Sequence, residues 1–150
     1  MELNNFSLVG ALLGRPLPKQ MKFGDFVLDF QGKNVYSGEA NLRGNPIKLT
    51  VRRFARKDFA TVNRVFATLD QYIIASIDKV KELQQSENIP SEIRKSLDQV
   101  YPTTFLCTVD KDGRTNSHML LDNPAVISSP RVSVLFGDNY NTVLKFDLII

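Results

Sequence analysis

One cysteine, one histidine and no long apolar run: each scarcity in this chain removes a class of function. Cys107 alone cannot close a disulfide within the chain, which fits a reducing compartment better than a secreted, crosslinked scaffold. With His118 as the sole imidazole, histidine triads and most zinc or iron sites would have to pass through that one residue. No Gly-rich phosphate loop, nucleophile elbow, paired-cysteine zinc pattern or dinucleotide fingerprint occurs. Asp110-x-Asp112 opens like a calcium loop, but Thr115 and Leu121 stand where the sharp-turn glycine and the bidentate acid belong. Asp25 and Asp29 on one extended strand would lie roughly 13 Å apart. Glycosidase carboxylates sit about 5 to 9.5 Å apart, so this pair cannot share one bond. No metal, no cofactor and no catalytic set is expected.

The most apolar stretch, Phe6 to Leu13, is far too short to span a bilayer. Glu2 and two asparagines precede it, where a signal peptide would carry basic residues. It reads as a short helix or strand ended by Gly14 and the Pro16–Pro18 pair, so residues 1–20 are expected to dock on the domain. A cytoplasmic protein with no membrane contact is the expectation.

What is present is ordinary globular composition: 150 residues, 43% hydrophobic and 23% charged, enough for a single α+β domain over 1–150. The hydrophobic period does the most to define it. Phe26, Leu28 and Phe30 alternate with Asp25, Val27 and Asp29, and Ile47, Leu49 and Val51 alternate with Lys48, Thr50 and Arg52. A strand turns successive side chains to opposite faces, so these segments read as half-buried strands. Strands over Met21–Phe30, Val35–Leu42 and Ile47–Phe54, with turns at Gln31–Asn34 and Arg43–Pro46, make an antiparallel meander.

The period then becomes helical. Phe59, Val62, Phe66, Leu69, Ile73, Ile77, Val80 and Leu83 recur every three or four residues. They predict one amphipathic helix from an Asp58 N-cap to about Gln85, roughly 40 Å long. Pro90 opens a short second helix ending near Val100, with Ile93, Leu97 and Val100 inward. Strands follow at Thr103–Val109, Arg114–Leu121, Arg131–Phe136 and Val143–Ile150, the last expected to pair through Leu148 and Ile150. Strands, helices, then strands point to an α+β fold whose helices cover one sheet face and whose chain closes in C-terminal hairpins.

Asp110-Lys111-Asp112-Gly113 has the form of a three-residue hairpin loop with Gly113 left-handed. It pairs Asp110 with Arg114, Cys107 with Ser117 and Leu106 with His118. Cys107 then faces with Phe105, Val109 and Met119, and His118 faces the other way, which argues against a Cys–His nucleophile.

Net charge is +3 with a pI near 9.1, but the charge is local. Lys48, Arg52, Arg53, Arg56, Lys57 and Arg64 stand against Asp58 alone, a window of +5 that leaves the rest at −2. Such a patch can hold phosphates or an acidic protein surface.

Phe23-Gly24-Asp25-Phe26-Val27-Leu28-Asp29-Phe30, Tyr36-Ser37-Gly38-Glu39-Ala40 and Gly44-Asn45-Pro46-Ile47-Lys48-Leu49 resemble families of uncharacterised bacterial domains of unknown function. In these a similar meander precedes a long helix and a strand pair. The likeness covers 23–83 and extends to the hairpin at Asp110–Gly113. Members are found in toxin–immunity settings, so the resemblance implies a small cytoplasmic protein that blocks a toxin by direct binding. Its motif residues are turn glycines and core hydrophobics, which speak for fold. The basic charge departs from the acidic pattern of nuclease inhibitors, so the resemblance implies local acidic contacts, for which Asp122, Asp138 and Asp147 are the candidates. The expected function is thus a non-catalytic protein-binding module of immunity type. A nucleic-acid-binding accessory protein using the basic patch is the second reading, and a small enzyme using His118 or Cys107 the third.

Overall fold

Two-residue turns set the first half of the sheet. The computed structural model describes residues 16–150, in which β1 (Gln20–Phe23), β2 (Phe26–Gly32), β3 (Val35–Leu42) and β4 (Asn45–Arg52) follow one another as antiparallel neighbours. Lys33 and Asn34 (φ 53° and 62°) and Arg43 and Gly44 (φ 53° and 83°) are left-handed at both turn positions, the twist that suits a tight hairpin. Met21–Phe30 is not one strand as expected. Gly24 (φ 59°) and Asp25 turn the chain back, and Phe23 pairs with Phe26. Asp25 is therefore a turn residue. Of the expected N-terminal docking segment, Phe6–Leu13 lies outside the described residues. Its end does dock: the Pro16 and Pro18 carbonyls accept from Arg56 Nη2 (2.8 Å) and the Tyr36 hydroxyl (2.6 Å).

The expected single rod is two helices, α1 (Phe59–Ala67) and α2 (Leu69–Gln84). Thr68 (φ −111°, ψ 22°) leaves the helical region between them. Its N–H is shared between the Arg64 and Val65 carbonyls, and its hydroxyl donates to the same two oxygens at 2.9 and 3.1 Å. This is the back-bonding by which threonine bends helices. The bend has a packing purpose: α1 lies on β1 and β5 while α2 reaches β6 and β7, a span a straight rod would leave on a twisted sheet. Asp58 is no forward cap either. Only 5% exposed, it reaches back so that Oδ2 accepts from the Ala55 N–H at 3.0 Å, closing the 3-10 turn Arg56–Asp58 that leads into α1. After Pro90, α3 (Ser91–Ser96) and a second 3-10 turn (Leu97–Gln99) bury Leu97 as expected, with Ile93 and Val100 half-buried.

The crossover returns the chain beside β4. β5 (Tyr101–Val109) runs parallel to it, Lys48 opposite Thr104 through Arg52 opposite Thr108. β6 (Thr115–Asp122), β7 (Arg131–Phe136) and β8 (Val143–Ile149) complete an eight-stranded, mostly antiparallel sheet whose spatial order is its order in sequence. The Gly113 loop (φ 80°) gives the expected register: Asp110 N–H bonds the Arg114 carbonyl at 2.8 Å, Cys107 faces Ser117 and Leu106 faces His118. Leu148 pairs with Val132 as expected, but Ile150 falls beyond β8 and is 84% exposed.

One face of the sheet carries the core. Tyr36, Val51, Cys107, Ser117 and Phe136 form one buried row across five strands, and Leu49, Phe105, Met119 and Val134 the next. Aromatic rings join sheet to helices. Phe23 meets Tyr36, Phe54, Phe59 and Phe66 at 5.2–5.8 Å between centroids. Phe66 touches Phe105 (5.6 Å), and Tyr72 touches Phe105 (5.2 Å) and Phe136 (4.9 Å).

The Gly24 turn is clamped on α1: its N–H donates to Asn63 Oδ1 at 2.7 Å, and a Cβ there would stand 2.8 Å from Ala67 N and Phe66 C. Gly24→Ala is expected to cost about 2 to 3 kcal/mol, from the steric clash and a φ that L side chains resist. The urea midpoint checks it, and an unchanged midpoint would refute the clamp. Ser76 lies buried inside α2 with its hydroxyl unpartnered. Ser76→Ala should therefore stabilise by about 1 kcal/mol, removing an unmet donor and gaining helix propensity.

Candidate interaction surface

With all helices on one side, the other face of the sheet is bare among the described residues. The strand registers align two rows along it. Gln20, Asp29, Ser37, Thr50, Leu106, His118, Leu135 and Lys145 run across all eight strands. Glu39, Lys48, Thr104, Leu120, Ser133 and Asp147 run beside them. Leu106, Leu120 and Leu135, each half-buried, make an apolar centre among threonines and serines. Lys48 and Arg52 border it on the β4 side and Arg131, Lys145 and Asp147 on the β7–β8 side.

The six basic candidates do not form one patch. Lys48 and Arg52 are exposed on the bare face and make no ion pair with the described residues. Arg53 (φ 59°) lies just past the end of β4, Lys57 is exposed in the 3-10 turn, and Arg56 is committed to the Pro16 carbonyl. Arg64 sits on the helical side. There it lines a cavity of about 80 Å³ with Thr68, Tyr72, Asp138 and Tyr140, so the structure brings together one basic and one acidic candidate far apart in sequence. The acids are scattered too. Asp122 accepts from the Thr103 hydroxyl (2.6 Å) with Arg131 at 3.9 Å, and Asp147 meets Lys145 at 3.5 Å. Asp122 and Asp138 belong to opposite ends of the sheet, and Asp147 to the bare face.

Cys107 and His118 are separated by the sheet itself. Cys107 is buried beneath the helices, and burial pushes its thiol from an ordinary 9.0 up to about 12, eased only slightly by the neighbouring Ser117 hydroxyl. Burial likewise raises Tyr72 from 10.0 to about 12, with the nearby Cys107 adding to the rise. Ser117, Thr115 and Ser76 hydroxyls in this layer complete no hydrogen bond of good geometry. A thiol held protonated is no nucleophile at neutral pH. On the bare face His118 Nε2 and Ser133 Oγ share a hydrogen bond. This contact was hidden in sequence because it depends on the β6–β7 register. A Ser–His contact needs a third group to orient the imidazole and donors for an oxyanion. The backbone N–H groups of paired strands are already engaged in the ladder.

No three His, Cys, Asp or Glu side chains gather as a metal cluster among the described residues. No helix there is long and apolar enough to cross a membrane. Comparison with protein-family models, curated proteins and solved structures returns no match to this chain.

The raised pKa values set an alkaline limit. Below pH 9 both folded and unfolded chains keep the Cys107 proton. Above it the unfolded chain releases a proton that the folded chain retains toward pH 12, so stability falls as pH rises. Tyr72 adds the same loss from pH 10. Cys107→Ala is expected to flatten the first part of this decline, read as urea midpoints against pH. A slope identical to wild type would show that the thiol is not buried as described.

Proposed function

We propose that the chain is a non-catalytic protein-binding module that inhibits a partner by covering it, in the manner of an immunity protein. The observation that carries this reading is the bare sheet face: an apolar centre of Leu106, Leu120 and Leu135 with the cations Lys48 and Arg52 at its border. Interfaces favour an apolar centre with a polar rim, and arginine is enriched there. The backbone of this face is already held in a paired strand ladder, so little ordering entropy opposes docking. The partner this face suits presents apolar side chains flanked by acidic ones. A reducing cytoplasm, where a lone thiol persists, is the place to seek it.

Capture from the native host with Lys48→Glu/Arg52→Glu, and with Arg64→Glu on the helical side, tests the reading. The bare-face pair should weaken binding at least about tenfold, while Arg64→Glu leaves it intact. Capture that ignores the bare-face pair would refute the reading. A nucleic-acid gel shift at about 50 mM salt that fades by about 200 mM and is lost in the same pair would replace it with the phosphate-binding alternative.

A further inference from the structure

The two edges of the sheet are unlike. β1 is four residues long, preceded by Pro16, Pro18 and Lys19 and carrying Lys22 within it, features that discourage further strand pairing. β8 is seven residues, Val143–Ile149, without proline or glycine, and five of the seven are apolar. Its outer edge has no partner among the described residues. A bulge against β7 leaves Leu144 unpaired and 56% exposed, and Ile149 is 46% exposed. Such an edge is a template for another strand.

The sequence of β8 says which strand. Lys145 and Asp147 lie on the same sheet face, two residues apart, with Phe146 between them. We infer that β8 pairs antiparallel with the β8 of a second copy, about a two-fold axis through Phe146. That register sets Lys145 opposite the second copy's Asp147, and Asp147 opposite its Lys145. It also lays Leu144 against Leu148 and Val143 against Ile149. A two-fold interface must be complementary to itself, and this one is: each opposite-charge pair occurs twice. A register centred on Asp147 would instead set two carboxylates face to face. The two-fold keeps the helices of both copies on one side and extends the bare face across the junction. The inference does not depend on the partner proposed above. It rests on the charge order and exposure of β8.

Sedimentation of the full chain from about 1 μM to about 1 mM covers the affinities expected of a short strand ladder. Wild type should pass from monomer to dimer in this range. Lys145→Asp and Asp147→Lys alone should each weaken dimerisation at least about tenfold, because like charges then oppose one another twice per dimer. An equimolar mixture of the two variants should recover it, since the acids of one copy then meet the lysines of the other. The doubly swapped Lys145→Asp/Asp147→Lys chain should dimerise like wild type. Circular dichroism of each variant confirms folding. A wild type monomeric throughout, single variants that dimerise unimpaired, or a mixture that stays monomeric would each overturn the inference.

Discussion

The structure depends on a chain of aromatic contacts that glues one side of the sheet to a bent pair of helices. Phe23 couples β1 to Phe54, Phe59 and Phe66, and Phe66 hands the contact through Phe105 and Tyr72 to Phe136 on β7. Each such ring buries a large apolar area, and the edge-on pairs Phe23–Phe54, Phe66–Phe105 and Tyr72–Phe136 add about 0.5–1.5 kcal/mol apiece. Because the contacts reach from β1 to β7, the helices must follow the sheet, and the bend at Thr68 is how they do so. The same economy leaves nothing among the described residues to cover the opposite face. The core and the candidate surface are thus two results of one commitment, since a single helical layer can bury only one side of an eight-stranded sheet.

Where structure is local, the amino-acid pattern made it readable. The alternation around Leu49 and Val51 marks the covered face of β4, and the Asp110–Gly113 loop sets a register that puts Cys107 and His118 on opposite sides. The misreadings have local causes as well. Residues paired across a two-residue turn stand three apart on one face, so the core-side positions slip from Met21 and Phe23 to Phe26, Leu28 and Phe30, and that single slip in parity is all that marks Gly24 and Asp25 inside an apparently long strand. The apolar stripe runs through Thr68 without a missed beat, and only the hydroxyl's back-bonding reveals the bend. Asp58 stands where a cap would stand, yet its carboxylate serves the turn before the helix.

The surface was harder to read, because proximity in sequence is not proximity on a face. Six basic residues within one short window are parted by the strand-to-helix joint: Lys48 and Arg52 go to the bare side, Arg64 to the helical side beside Asp138. Residues that do meet come from separate strands. Leu106, Leu120 and Leu135, or His118 and Ser133, become neighbours only through registers spanning β5 to β7. Alternation tells which residues share a side, but not whether that side will be roofed.

The parallel seam between β4 and β5 has a further consequence. Six of the seven strand junctions close across short loops, so the chain loses little freedom in making them. The seventh joins segments about 50 residues apart, and its ends can meet only after the intervening helices have folded back. Nearly all of the topological cost of the molecule is therefore concentrated in one ladder at its middle. The protein is best regarded as two self-winding ribbons stitched along a single line, and the helical crossover is the thread.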